Sequence, residues 1–88
     1  MKLILTILSD NDSENVSHAL IAGGFRVTRI ASTGGFFRRG STTLMIGVAD
    51  DQVDAAISTI RSGLPRAAEG SERRATLFVV PVESFTQI

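Results

Sequence analysis

Residues 25–48 read FRVTRIASTGGFFRRGSTTLMIGV and combine two strand patterns with a loop between them. Residues 25–30 alternate between aromatic, β-branched and Arg side chains, and residues 42–48 are largely β-branched and apolar, so both segments are predicted to be strands. The loop offers glycine backbone amides, two Phe rings, two Arg side chains and several hydroxyls. This combination favours a nucleotide or a phosphate anion as ligand, and an ordinary solvated connection is the alternative.

Two consecutive aromatic residues, Phe36 and Phe37, lie in the middle of this loop. A loop that only connects two strands gains nothing from exposing both rings to water. We therefore expect at least one of them to pack on a ligand or on another subunit.

Composition limits the classes of function that the chain can have. The 88 residues make one small domain, residues 1–88, which by itself buries only about 60% of its unfolded surface, so association with other chains is expected. Nine basic and nine acidic residues give no net charge. This balance gives no electrostatic reason to predict binding to DNA, RNA or an anionic membrane. A chain without cysteine has no disulfide or thiolate site, which is compatible with a reducing cytoplasm.

Catalytic and metal sites are not predicted from the sequence. His18 lies in a helical pattern without a second His, a Cys or a well-spaced carboxylate, so it is read as a plain helix residue. Asp12, Ser13 and His18 are too close together on one helix to act as orienter, nucleophile and base. Asp50 and Asp51 are read as a helix start. We see no export signal and no apolar run of membrane-spanning length.

The remaining segments alternate between strand and helix patterns. Residues 2–8 are a strand with Leu3, Leu5 and Ile7 on one face and Ile4 and Leu8 on the other. A helix is predicted from residues 9–14 to about 22, ending at two glycines. A second helix follows position 50 and ends near 63–65; its apolar face comprises Val53, Ala56, Ile57, Ile60 and Leu64. Residues 65–74 are polar and expected to be mobile, and residues 75–82 form a fourth strand.

This order predicts an α+β, ferredoxin-like βαββαβ fold with a four-stranded antiparallel sheet. The first and third strands should be central, and Pro81 should lie on an edge strand or at its end. Both helices should cover one face of the sheet. Apolar residues such as Ile4 and Leu8 are expected on the other, bare face, and this face should bury itself against further copies of the chain. Met45 is expected in the core.

Three segments resemble the PII-like cyclic-di-AMP receptor family: KLILTILSDNDS at 2–13, the 25–48 stretch, and ATLFVVPVESFTQI at 75–88. The residues in family register are Arg26, Thr28, Thr33-Gly34-Gly35-Phe36, Gly40, Thr42-Thr43 and Gly47-Val48. The resemblance implies a cytoplasmic PII-like homotrimer that acts in signal transduction, is not an enzyme and needs no cofactor. Cyclic di-AMP would bind in the clefts between subunits, and the downstream protein partner is unknown.

The resemblance also implies which residues bind the ligand: Arg26, Thr28, Gly35, Phe36, Gly47 and Gln87. Phe37, as the second ring of the loop, and Ser41, which keeps a hydroxyl, complete the predicted ligand-binding residues. The chain departs from the family at three places. Gly24 and Ser41 replace residues that are commonly Asn, and the 65–74 segment is much shorter. A trimeric PII-like protein-binding module that binds another nucleotide or no small ligand is therefore the alternative.

Overall fold

The structure, a computed structural model, describes residues 1–31, 40–64, 75–84 and 86–88. The segment 65–74, which is predicted to be mobile, lies outside these residues. The elements are β1 (Lys2–Ser9), α1 (Asp10–Ala22), β2 (Val27–Ala31), β3 (Ser41–Val48), α2 (Val53–Gly63) and β4 (Ala75–Pro81).

The sheet has the strand order β2-β3-β1-β4, and each neighbouring pair is antiparallel. The first and third strands are therefore central, which confirms the predicted ferredoxin-like α+β fold. β1 and β3 pair along their whole length, from Lys2 opposite Val48 to Ser9 opposite Ser41. Pro81 ends the edge strand β4. Its missing N–H therefore costs the sheet no interior ladder bond.

Helix α1 begins and ends where the sequence predicts. The Ser9 hydroxyl accepts a hydrogen bond from the Asp12 backbone N–H at 3.2 Å, which satisfies one donor of the first turn. Asp10 and Asp12 place negative charge at the positive end of the helix dipole. At the other end Gly23 caps the helix, and Gly24 has a φ of 87°, in the left-handed region that favours glycine.

Helix α2 starts slightly later than predicted. Asp50 and Asp51 form a short 3₁₀ turn, Asp50–Gln52, and no side chain caps either this turn or the helix that follows. The predicted apolar face is confirmed, because Ala56 and Ile60 are buried and Val53, Ile57 and Leu64 pack around them.

The two helices approach each other closely at Gly63. A Cβ atom at this position would lie 2.9 Å from the Cα atom of Val16. A real Cβ would clash there, so glycine permits the contact between α1 and α2.

Both helices pack on the same face of the sheet, and this face holds Ile4 and Leu8. Their exposed fractions are 0% and 3%, and they form one core with Val16, Leu20 and Ile46. The expectation that Ile4 and Leu8 lie on the bare face was therefore wrong. Strand alternation separates two sets of side chains, but since both sets in β1 are apolar it does not show which set meets the helices.

The opposite face carries the other apolar set. Leu5 pairs with Met45 and Phe78, so these three side chains lie side by side across the sheet. Leu3, Ile7, Ile30 and Val80 share this face by the same alternation. Met45 is only half-buried here, so its predicted place in the core was wrong. We call these seven residues the bare apolar face; it remains apolar, but with residues different from those expected.

The reversed assignment of β1 can be tested by mutation. Ile4→Ala should lower the free energy of unfolding by about 2–5 kcal/mol, because it leaves a cavity in a fully packed core. Urea unfolding at a fixed protein concentration measures this change. The control is Ile21→Ala on the exposed side of α1, which should shift the free energy by no more than about 0.5 kcal/mol. Similar losses for both variants would contradict the assignment.

Candidate functional site

A groove lies at one end of the sheet, between the α1–β2 turn and the corner that follows β3. Its volume is about 420 Å³, and its lining residues are Gly23, Gly24, Phe25, Arg26, Gly47, Val48, Ala49 and Gln52. We call it the Arg26 groove. Three of its residues are glycines, so much of its wall is backbone that a ligand can approach closely.

Backbone hydrogen bonds hold both walls of the Arg26 groove. On one side the Gly24 N–H donates to the Ile21 carbonyl at 3.0 Å and the Phe25 N–H donates to the Leu20 carbonyl at 2.9 Å. On the other side the Gln52 N–H donates to the Ala49 carbonyl at 2.9 Å. The glycine wall is therefore tied to the end of α1, and the Gln52 wall to the 3₁₀ turn.

The chemistry of the Arg26 groove suits an anion with a flat ring. Arg26 is exposed and supplies a guanidinium with several donors. Gly47 leaves the strand backbone uncovered by any side chain of its own. A phosphate would satisfy the guanidinium, and a planar base could lie against the backbone at Gly47.

A second groove of about 630 Å³ meets the first at Gly47 and is lined by Met1, Gly47, Val48, Ala49, Asp50 and Asp51. The Met1 side chain covers Gly47, since a Cβ atom there would lie 3.1 Å from the Met1 methyl carbon. The Met1 ammonium lies 2.8 Å from an Asp50 carboxylate oxygen. This hydrogen bond and the charge of the ammonium lower the pKa of Asp50 below its usual value.

The predicted site residues on strands share one face. Thr28 pairs with Met45, Gly47 pairs with Leu3, and Ser41 precedes Thr43 and Met45 in the same alternation. Thr28, Ser41 and Gly47 are therefore on the same side of the sheet as the bare apolar face. Arg26 lies directly before β2.

Within one chain, however, these residues fall into two groups. Ser41 and Gly47 lie at opposite ends of β3, roughly 20 Å apart at about 3.3 Å per residue. Arg26 and Gly47 meet at the Arg26 groove, whereas Ser41 lies at the far end beside Ser9. One chain does not bring Ser41 to the groove.

The far end of the sheet is fixed to helix α1. The Asp10 N–H donates to the Gly40 carbonyl at 2.7 Å, and the Thr42 hydroxyl donates to the Asp10 carboxylate. Gly40 has a φ of 82°, which favours glycine at this position. The first residue of α1 therefore holds the start of β3, where the loop that contains Phe36 and Phe37 ends.

Three predicted ligand-binding residues, Gly35, Phe36 and Phe37, lie outside the described residues. Gln87 is exposed in the segment after β4 and does not line the Arg26 groove. Sequence reasoning missed two residues near the site. Met1 precedes the strand predicted at residues 2–8, and Gln52 follows Asp50 and Asp51, which were read as a helix start. The one signal for Gln52 was its position shortly after Gly47.

A metal site and a membrane-spanning helix are both absent from the part of the chain that the structure describes. Among its residues, no three His, Asp or Glu side chains are grouped closely enough to hold a metal ion. None of the helices in this part of the chain is long and apolar enough to cross a membrane.

The fold and the Arg26 groove define a ferredoxin-like protein with a site suited to a small anionic ligand. A sequence profile of cyclic-di-AMP receptors matches residues 1–66, which is most of the chain, and the protein belongs to this receptor family. The chain is also similar to a crystal structure of a functionally unknown protein from Pediococcus pentosaceus ATCC 25745. The TM-score is 0.77 and the sequence identity 28%, over 99% of this chain and 96% of that one.

The ion pair between the Met1 ammonium and Asp50 predicts a pH effect. Because the pKa of Asp50 is lowered in the folded state, the pair contributes stability above the unfolded-state pKa and loses it as pH falls through the folded-state pKa. Carboxyl-carbon NMR should show Asp50 titrating at a lower pH in the folded protein than in urea. An equal or higher midpoint in the folded protein would contradict the ion pair.

Proposed function

We propose that this protein is a PII-like signal-transduction receptor that binds cyclic di-AMP in the clefts between subunits of a homotrimer. The observation that carries the proposal is the position of Thr28, Ser41 and Gly47 on the same side of the sheet as the bare apolar face. A face that binds a neighbouring subunit and also carries the ligand residues would form its site at the subunit boundary.

Association of subunits is supported by the apolar character of this face. Phe78 is 51% exposed, and Ile30 and Val80 are also exposed around the half-buried Leu5 and Met45. A contiguous apolar surface of this kind in water marks a site of interaction. A second copy of the chain is the partner that a marginally stable 88-residue domain always has available.

The separation of the two residue groups favours a site shared by subunits. Ser41 lies at the opposite end of β3 from Gly47, so both can touch one small ligand only if they come from different chains. A cyclic dinucleotide has two phosphates and two bases. In the proposed cleft, Arg26 pairs with a phosphate, one base lies against Gly47, and the other lies near Ser41 and the aromatic loop.

Binding at Gly47 requires a local change. The Met1 methyl group occupies the surface over Gly47. A base that lies against this backbone must displace the Met1 side chain or pack on its thioether, and a thioether packs well against an aromatic ring. We include Met1 in the proposed site for this reason.

In this proposal the protein acts as a receptor in the cytoplasm and is not an enzyme. Its downstream protein partner is not identified. The alternative, a trimeric module that binds protein or another nucleotide, is favoured by one observation: Gly24 leaves open space where the family commonly has an amide side chain. Binding of cyclic di-AMP decides between the two.

Light scattering tests the assembly. The purified protein should have the mass of three chains of 9.4 kDa. Phe78→Glu should reduce this mass, because association would bury an unpaired carboxylate on the bare apolar face. Ile21→Glu places the same charge at an exposed apolar position on α1, 61% exposed, and should leave the mass unchanged. A stable wild-type monomer at micromolar concentration would contradict the trimer.

Calorimetry tests the ligand. Wild-type protein should bind cyclic di-AMP, and Arg26→Ala should weaken binding by about 1.5–3 kcal/mol, as for a lost charge-assisted hydrogen bond. Arg29 is a matched control because it is also exposed and lies on the other side of β2, 3.5 Å from Glu14. Arg29→Ala should leave the affinity nearly unchanged. No heat of binding with folded wild type would reject cyclic di-AMP and favour the alternative.

A further inference from the structure

We propose that Gln52 is a specificity-determining residue that reads the edge of the adenine base in the Arg26 groove. This inference rests on the proposed function, because it assigns a role within the same site. It goes further by naming the side chain that distinguishes adenine from other bases.

The first support is the chemistry of the lining. Among the described residues that line the Arg26 groove, only Arg26 and Gln52 have polar side chains. A guanidinium only donates hydrogen bonds, so Arg26 suits a phosphate. An amide both donates and accepts, and the adenine edge presents an exocyclic amine donor beside a ring nitrogen acceptor. Gln52 is the member of this pair that matches adenine.

The second support is that no hydrogen bond of the Gln52 side chain stabilises the fold in the described part of the chain. Gln52 joins the 3₁₀ turn to α2, and its side chain makes no capping hydrogen bond. Its amide makes no hydrogen bond to any described residue, and the residue is exposed. The backbone N–H alone, through its bond to the Ala49 carbonyl, holds the residue at the groove.

The third support is the opposite wall. Gly24 has no side chain, and a Cβ atom built on it would meet nothing within 4 Å. The glycine side of the groove therefore has room but no amide. If adenine is read by a side chain of this groove, Gln52 must do it.

Calorimetry with cyclic di-AMP and cyclic di-GMP tests the assignment. Gln52→Leu should weaken binding of cyclic di-AMP about tenfold, as for one or two lost neutral hydrogen bonds. Its affinity for cyclic di-GMP should not fall. Gln52→Glu keeps an acceptor but loses the donors, and should also bind cyclic di-AMP more weakly. Asn15→Leu, which removes an exposed amide in the middle of α1, is the matched control and should bind like wild type.

A rescue experiment separates base reading from a structural effect. Gly24→Asn places an amide on the open wall, and Asn tolerates the φ of 87° better than other residues with a side chain. The double variant Gly24→Asn with Gln52→Leu should recover most of the lost affinity for cyclic di-AMP. A general loss of structure would not be rescued in this way.

The outcomes distinguish the two proposals. If wild type does not bind cyclic di-AMP, the proposed function fails. If wild type binds and Arg26→Ala weakens binding, but Gln52→Leu binds as tightly as wild type, the role of Gln52 is wrong while the receptor function stands. Equal losses for both dinucleotides in Gln52→Leu would also overturn the role in base reading.

Discussion

The structure depends on a central strand that is apolar on both sides. In β1, Ile4 and Leu8 enter the core beneath the helices, whereas Leu3, Leu5 and Ile7 face the other way. The two helices cover one of these sets and leave the second without a partner from the described part of the same chain. A ferredoxin-like unit with this strand at its centre has an apolar surface that water does not stabilise.

The position of the candidate site follows from the same alternation. The strand residues proposed to bind the ligand share their side of the sheet with the uncovered apolar residues, so association and binding would use one surface in the proposed trimer. The sheet also separates the Arg26 groove from the far end, where Asp10 holds Gly40 and Thr42. A ligand that touches both ends must lie between chains, and its binding would then be coupled to their arrangement.

Much of the fold could be predicted because its signals are local. Ser9 before an acidic first turn marks the start of α1, the glycines at 23 and 24 mark its end, and Pro81 agrees with an edge strand. The faces of β1 could not be assigned in this way. Alternation is symmetrical when both sets are apolar, and only the packing of the helices decides between them.

The candidate site was predictable only in part. Arg26 and Gly47 do line one groove, but the only sign in the sequence that Gln52 joins them is its position shortly after Gly47. Gln52 is the last residue of the 3₁₀ turn that precedes α2, and it lines the groove from there. Such contacts join residues that are distant in the sequence, so no periodic pattern predicts them. The contact between Met1 and Gly47 is also of this kind.

A crystal structure of the protein with cyclic di-AMP shows directly whether a nucleotide is held between subunits on the bare side of the sheet. We expect three chains around one axis, with ligand density in each cleft. A phosphate should contact Arg26 and one base should lie over Gly47, while the Ser41 end of the neighbouring chain closes the other side. Ligand bound wholly within one chain, or on the helical face of the sheet, would contradict a site between subunits.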